Sequence, residues 1–297
     1  MNKIKLKIIS LINKVFAKAG FYLEKIKNND IDDYLRLYGK ESVENKRFYN
    51  ISVGSYLGYG GGLYHPCWTR IDVKAPNSRR ILKGYKGVYY DPKFDIDHDL
   101  LSGESLPVKD NVAELVHTRF TIASITDKLA ENLFSDVYRI LKSNGIFRIS
   151  APNIDLDYRA FKNNDMSFFF WSSWFESCTI EEAFLWHVNA QATPRHNDGG
   201  EICLTDAEFR TLIETKSKED ALNYCISSCS VEKQKRRRQD HINWWNPEKL
   251  ERMLRNAGFN NVYISSKLQS SSHVMRNDYY FDNYDNEFVF YMEAVKD

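Results

Sequence analysis

The chain has 297 residues, enough to bury a large core and to form one or two domains. Its 41 basic and 40 acidic residues leave a net charge of +1, which excludes a whole-molecule field that gathers nucleic acid or an acidic partner. Aromatic residues make up 14% of the chain, a composition that argues against disorder and suits surfaces that hold sugars or other flat ligands.

Residues 3–22 have the pattern of a basic amphipathic helix. Ile4, Ile8, Leu11, Ile12, Val15 and Ala19 fall on one face at helical spacing. Residues 1–27 hold seven lysines against one acid, Glu24. Such a helix can lie in the interface of an anionic membrane, or pack on its own domain with a solvated lysine face. No apolar run reaches the roughly 18 residues of a spanning helix, and lysines interrupt the apolar stretch near Ile8 to Ile12, so a cleaved signal peptide is not expected. The pattern divides the chain into a basic helix at 1–30 and a domain at 31–297.

From Arg47 onward strands alternate with helices. Phe48 to Val53 reads as a strand followed by a glycine-rich loop, Gly54 to Gly62. Trp68 to Val73 reads as a second strand, Val112 to Thr118 as a third, Lys128 to Ser143 as a helix and Gly145 to Ser150 as a strand. Asn246 to Ala257 reads as a helix with Pro247 in its first turn and Gly258 at its end, before strands at Val262 to Ser266 and Glu287 to Val295. This alternation predicts an α/β fold: a Rossmann-like, mostly parallel sheet with helices on both faces. Residues 155–245 interrupt it as an aromatic-rich insertion, with Phe168 to Trp171, Trp174, Phe175 and Trp186, placed where a lid over substrate can sit.

In such a sheet, ligands bind beyond the carboxyl ends of the strands, near the point where strand order reverses. A glycine after the first strand admits a ligand close to the backbone, and an acid ending the second accepts hydrogen bonds from ribose hydroxyls. Gly54 and Asp72 stand at these two places. The loop VGSYLGYGGGLYH is no regular G-x-G-x-x-G and also reads as an ordinary flexible loop. The five cysteines are odd in number and widely spaced, which points to a reducing compartment rather than a disulfide framework. Cys225 and Cys229 can share a helix face, but no further metal ligands stand near them, and they read as buried thiols.

The segment LPVKDNVAELVHTRFTIASITDKLAENLFSDVYRILKSNGIFRISAPN, residues 106–153, resembles the core of class I S-adenosylmethionine-dependent methyltransferases. It is most similar to the branch found in cell-surface glycan clusters. A leucine-proline pair precedes a strand bearing Glu114, a helix carries Val137 to Lys142, and Gly145 leads into a strand ending in Pro152-Asn153. NISVGSYLG with WTRID upstream, and WWNPEKLERMLRNAGFNNVYIS downstream, extend the resemblance to roughly residues 47–153 and 241–297. The resemblance implies S-adenosylmethionine as cofactor. Gly54 and Ser55 would face its methionine end, Asp72 its ribose, and Asp99 and Leu100 its adenine. His117 and Thr118 would face the sulfonium from the exposed end of the fourth strand. Two departures stand out: the branch's Glu and His after that strand are replaced within Phe120 to Ser124, and the glycine loop is longer and carries Tyr56 and Tyr59.

Methyl transfer needs a positioned acceptor and a base near neutral pKa. Histidines are the first candidates: His117 by motif, with His187, His196 and His241 in or beside the insertion. Asp155 and Asp157 are alternative bases, or cap and turn residues. Asn153, Trp186, His187 and Arg195 are candidates for holding the acceptor, and the polar stretch Thr193 to Glu201 can bind sugar hydroxyls or be a surface loop. Lys233 to Arg238, KQKRRR, can contact phosphates or form a solvated face. The leading expectation is a cytoplasmic methyltransferase, at the inner face of the membrane, acting on a cell-surface polysaccharide or its sugar precursor. The alternative is a catalytically degenerate relative that serves as a binding or scaffold component, or as another transferase, in glycan biosynthesis. An RNA methyltransferase ranks last, since nucleic acid has only KQKRRR to recommend it.

Overall fold

The structure, a computed structural model, describes residues 30–54, 65–73, 95–195, 202–238, 240–282 and 288–297. The basic helix expected at 3–22 and most of the glycine-rich loop lie outside these residues.

Seven strands form one sheet: β1 Phe48–Ile51, β2 Trp68–Asp72, β3 Ile96–Asp97, β4 Ala113–Arg119, β5 Leu141–Pro152, β6 Asn261–Ser265 and β7 Val289–Val295. Their order is β3-β2-β1-β4-β5-β7-β6. β1 to β5 pair in parallel, and β7 runs antiparallel between β5 and β6. The sheet is Rossmann-like and mostly parallel, as expected, and its order reverses between β1 and β4. That reversal opens a crevice at the carboxyl ends of the strands.

Helices cover both faces. Helix α1, Ile31–Glu44, lies on one face, where Tyr34 packs with Phe48, Trp68, Leu115, Met275 and Phe281. On the other lies α2, Asp127–Ile140, begun by the Thr126 hydroxyl, which accepts the Leu129 N–H at 3.4 Å. Its buried Ala130, Leu133, Phe134, Val137 and Ile140 follow the helical period, and Phe134 meets Phe147 of β5 at 6.1 Å between ring centroids. α2 ends three residues earlier than its sequence suggests. Leu141 is already extended (ψ 142°) and begins β5, paired with Ala113 of β4.

Between β5 and the late helix the chain forms a second aromatic core. Its helices are α3 Ile154–Lys162, α4 Ile180–Asn189, α5 Asp206–Thr215, α6 Lys218–Ile226 and α7 Val231–Arg236. Phe161, Phe169, Trp171, Phe184 and Phe209 are buried among them. The late helix, α8 Pro247–Asn256, has Pro247 in its first turn, and the Asn246 side chain accepts the Lys249 N–H at 2.9 Å. Just past its end, Gly258 takes a φ of +107°, a conformation that favours glycine.

Arg237, Arg238 and residues 240–246 return the chain from this helical region to the sheet as a strap. Ile242 and Asn243 donate their N–H groups to Ala123 O at 2.8 and 3.1 Å, and Ile154 donates to Trp245 O at 2.9 Å. The Trp245 indole donates to Ile122 O at 2.8 Å. The strap therefore crosses the carboxyl end of the sheet, where the crevice opens.

Candidate functional site

On the β1 side of the crevice, Gly54 follows β1 with a φ of +87° and donates its N–H to Asp72 Oδ1 at 2.5 Å. Asp72, the last residue of β2, is buried; its carboxylate also accepts the Val73 N–H at 2.8 Å and Arg70 Nη2 at 3.2 Å. Beyond β3, Asp99 caps a short helical turn, Leu100–Ser102, by accepting the Leu101 N–H at 3.0 Å. Leu100 is buried beneath it. The remaining capacity of the Asp99 carboxylate goes to Arg238, which forks onto Oδ1 and Oδ2 at 2.6 and 2.8 Å. Burial opposes ionisation of Asp99, yet the hydrogen bonds from Arg238 and from Leu101 outweigh it and hold the pKa below the usual carboxylate value. Arg238 itself is pushed up, chiefly by its hydrogen bonds to Asp99.

These residue types suit the nucleoside end of S-adenosylmethionine, and in the described state the Arg238 side chain stands where that end would lie. A Cβ built on Gly54 would lie 2.9 Å from both Cβ and Cδ of Arg238, so the arginine stem fills the close-approach space above the glycine. Asp72 is satisfied by the chain's own donors, and Asp99 by Arg238. Ser55 lies outside the described residues.

On the β4 and β5 side, His117 does not stand at an exposed strand end, and this expectation is corrected. β4 continues to Arg119, and strand alternation turns the His117 ring into the core beneath α1. It sits near Trp68 and Phe281, at 6.3 and 5.4 Å between centroids, with Nδ1 2.9 Å from Asn50 Oδ1. Thr118 is likewise fully buried, aligned with Ile51 and Ile149, and its hydroxyl has no hydrogen-bond partner among the described residues. Neither residue is exposed toward the crevice.

The histidines that do meet are His187 and His241. His187 Nδ1 lies 2.5 Å from Asp157 Oδ2, joining α4 to α3. The His241 ring packs 4.9 Å from that of His187, and its Nδ1 lies 3.1 Å from the His187 carbonyl oxygen. Burial and the neighbouring His187 push the His241 pKa down to about 3, so its imidazole is neutral. Trp171 at 4.3 Å and Phe288 at 5.1 Å flank the His187 ring. A small cavity of about 10 Å³, room for about one water molecule, lies beside the pair, lined by Pro152, Ile154, Asp157, His187, Asn243, Trp244 and Trp245. The second oxygen of Asp157, Oδ1, is buried with no hydrogen-bond partner among the described residues.

The other candidates are dispersed. Asn153 caps α3, its Oδ1 accepting the Asp155 N–H at 3.1 Å. Trp186 packs against Trp174 and Phe175 at 6.2 and 5.2 Å, on the surface side of α4. Arg195 is committed to Glu182, at 2.7 and 2.9 Å, and lies over Phe175. His196 lies outside the described residues. Among the described residues no group of three or more His, Cys, Asp or Glu side chains is placed to hold a metal ion. Burial pushes the thiols of Cys225 and Cys229 up to about 12, which leaves them protonated and inert.

Two contributors were not assigned their roles by the sequence. Arg238 belongs to the basic run, but its partner Asp99 lies 139 positions away. Asp157 carried the signal of an acid after the Pro-Asn strand end, without any sign that His187 was its partner.

No family model matches the sequence, and no curated protein matches it. Among solved structures, the chain is similar to a SAM-dependent methyltransferase, described as a possible histamine N-methyltransferase, from Thermotoga maritima. The two share 12% identity over 91% of this chain and 95% of that one, with a TM-score of 0.35. It is also similar to methyltransferases from Mesorhizobium loti (11% identity, 84% and 90% covered, TM-score 0.38) and Archaeoglobus fulgidus (11%, 90% and 99%, TM-score 0.37). Likenesses this distant carry no argument about activity; the fold assignment rests on the strand order and pairing.

Proposed function

We propose that this chain is an S-adenosylmethionine-dependent methyltransferase acting on a sugar or glycan acceptor. The observation that carries the reading is the two-sided crevice at the β1/β4 reversal. A positive-φ glycine and two acids stand on one side, and a carboxylate–histidine pair stands on the other. The cofactor's part in the chemistry is to supply the methyl group. Asp157 fixes the His187 ring through Nδ1, which leaves Nε2 as the atom to take a proton from an acceptor hydroxyl. His241, held neutral, adds no competing charge beside it.

A sugar acceptor is supported by the aromatic surface beside this pair. Trp174 is 66% exposed and meets Phe170 at 5.9 Å, Phe170 meets Phe288 at 6.0 Å, and Phe288 abuts His187. We place the protein in the cytoplasm, held to the inner face of the membrane by residues 3–22. No described helix is long and apolar enough to cross a membrane. Lys235, Arg237 and Arg238 are each paired with an acid, which disfavours KQKRRR as a nucleic-acid surface.

Calorimetry with S-adenosylmethionine and S-adenosylhomocysteine tests the reading: binding is expected, and none at millimolar ligand would end it. The Arg238 contact favours one second reading, a binding or scaffold protein on the same fold. Methylation of any glycan acceptor, abolished by Asp72→Ala, would exclude that alternative.

A further inference from the structure

We infer that Arg238 is a latch that closes the nucleoside side of the crevice from within, and that it must leave Asp99 before a nucleoside ligand enters. The inference rests on the cofactor reading above and adds to it a closed state.

Two contacts define the closed state. The aliphatic stem of Arg238 lies over Gly54, at the point where a ligand would come nearest the backbone. Its guanidinium takes both oxygens of Asp99, and the two side chains keep only 11% and 29% of their exposure. A bidentate, partly buried arginine–carboxylate pair is a strong and directional contact.

The backbone beneath the latch is fixed independently of it. Gln234 of α7 is buried and donates through Nε2 to the carbonyl oxygens of Arg238 and Asp240, at 3.4 and 2.8 Å. Gln191 in turn donates to Gln234 Oε1 at 3.2 Å. Rotation of the Arg238 side chain therefore frees the Asp99 carboxylate without refolding the strap, while its Cβ, fixed by that backbone, stays over Gly54. Asp99 keeps its cap bond to Leu101 when Arg238 departs, so its carboxylate stays oriented and regains acceptor capacity. A ligand that displaces the guanidinium must offer neutral donors to that carboxylate, as the hydroxyls or exocyclic amine of an adenine nucleoside do. The same strap carries His241 onto His187, so the latch and the acceptor-side pair hang from one stretch of backbone.

An apparent dissociation constant rises by the inverse of the open fraction. If the latch is open about one tenth of the time, removing it tightens binding about tenfold. The test is calorimetric titration of S-adenosylhomocysteine into the full chain, wild type against Arg238→Gln, with the unfolding midpoint of each confirming that both are folded. The Gln variant is expected to bind about tenfold more tightly. Arg238→Lys keeps the charge but loses the fork, and it is expected to fall between the two. Affinities equal to or weaker than wild type in both variants would overturn the latch and leave the cofactor reading standing. Binding by none of the three proteins at millimolar ligand would overturn the cofactor reading, and the latch with it.

Discussion

His241 ties the stability of the His187 group to pH. Its folded pKa, near 3, lies well below the ordinary 6.5, because burial and His187 disfavour its charged form. The unfolded chain therefore binds a proton below pH 6.5 that the folded chain refuses. The stabilising contribution is complete above 6.5 and is lost as pH falls toward 3, at roughly 1 kcal/mol per pH unit. Urea midpoints at pH 7 and pH 5 should show wild type losing more stability on acidification than His241→Gln. A second expectation belongs to His187. If its Nε2 takes the acceptor proton, His187→Gln should lower turnover by about 10²- to 10⁴-fold, while the calorimetric affinity for S-adenosylhomocysteine stays unchanged. At this scale the sequence was a partial guide. It marked Gly54 and Asp72 at strand ends, Asp99 before the leucine-proline segment, and His187 and His241 in or beside the insertion. It did not mark their partners, because Asp157 and His187 lie 30 residues apart on different helices and meet only through packing of the aromatic core. His117 shows the opposite error: a motif position was read as exposed when strand alternation turns it inward.

At the scale of elements, β4, α2 and β5 were legible because their apolar residues keep the periods of a strand and a helix and because Thr126 supplies an N-cap signal. α1 and the two-residue β3 were not, since α1 has a mixed face interrupted by non-helical Gly39 and β3 is too short to show a period. The joint between β5, β7 and the 266–282 segment depends on Arg148, which no local pattern announces. Its guanidinium is fully buried and reaches Asp282 at 2.6 Å and Glu293 at 3.1 Å, with Ser266 O at 2.9 Å. Glu293 also accepts from Tyr263 at 2.7 Å and from Ser271, which binds the antiparallel edge to the rest of the sheet. Replacing Arg148 with Met would leave two buried carboxylates without their cation. Breaking a buried pair in this way costs about 3–5 kcal/mol, so Arg148→Met should lower the urea midpoint steeply. Exposed Arg36, paired with Asp33 on α1, should tolerate the same substitution within about 1 kcal/mol.

For the whole molecule, charge is divided unevenly along the chain. Residues 1–27 hold seven lysines and one acid, while the entire chain carries only +1, so everything beyond residue 27 is net acidic. An anionic membrane therefore repels the rest of the chain and attracts only its first segment. Each lysine near an anionic surface is worth about 1 kcal/mol, an interaction that decays within a Debye length. Changing Lys3, Lys5 and Lys7 together to Gln in the full chain removes about 3 kcal/mol of that attraction, roughly a hundredfold in affinity. Co-sedimentation with phosphatidylserine vesicles should show this loss. Wild-type binding should itself weaken when salt is raised from 0.05 to 0.5 M, roughly the range over which the Debye length shrinks severalfold. Binding that ignores both the lysine changes and the salt would place the attachment elsewhere, on the exposed Phe170 and Trp174 surface, where apolar contact rather than charge would hold the lipid.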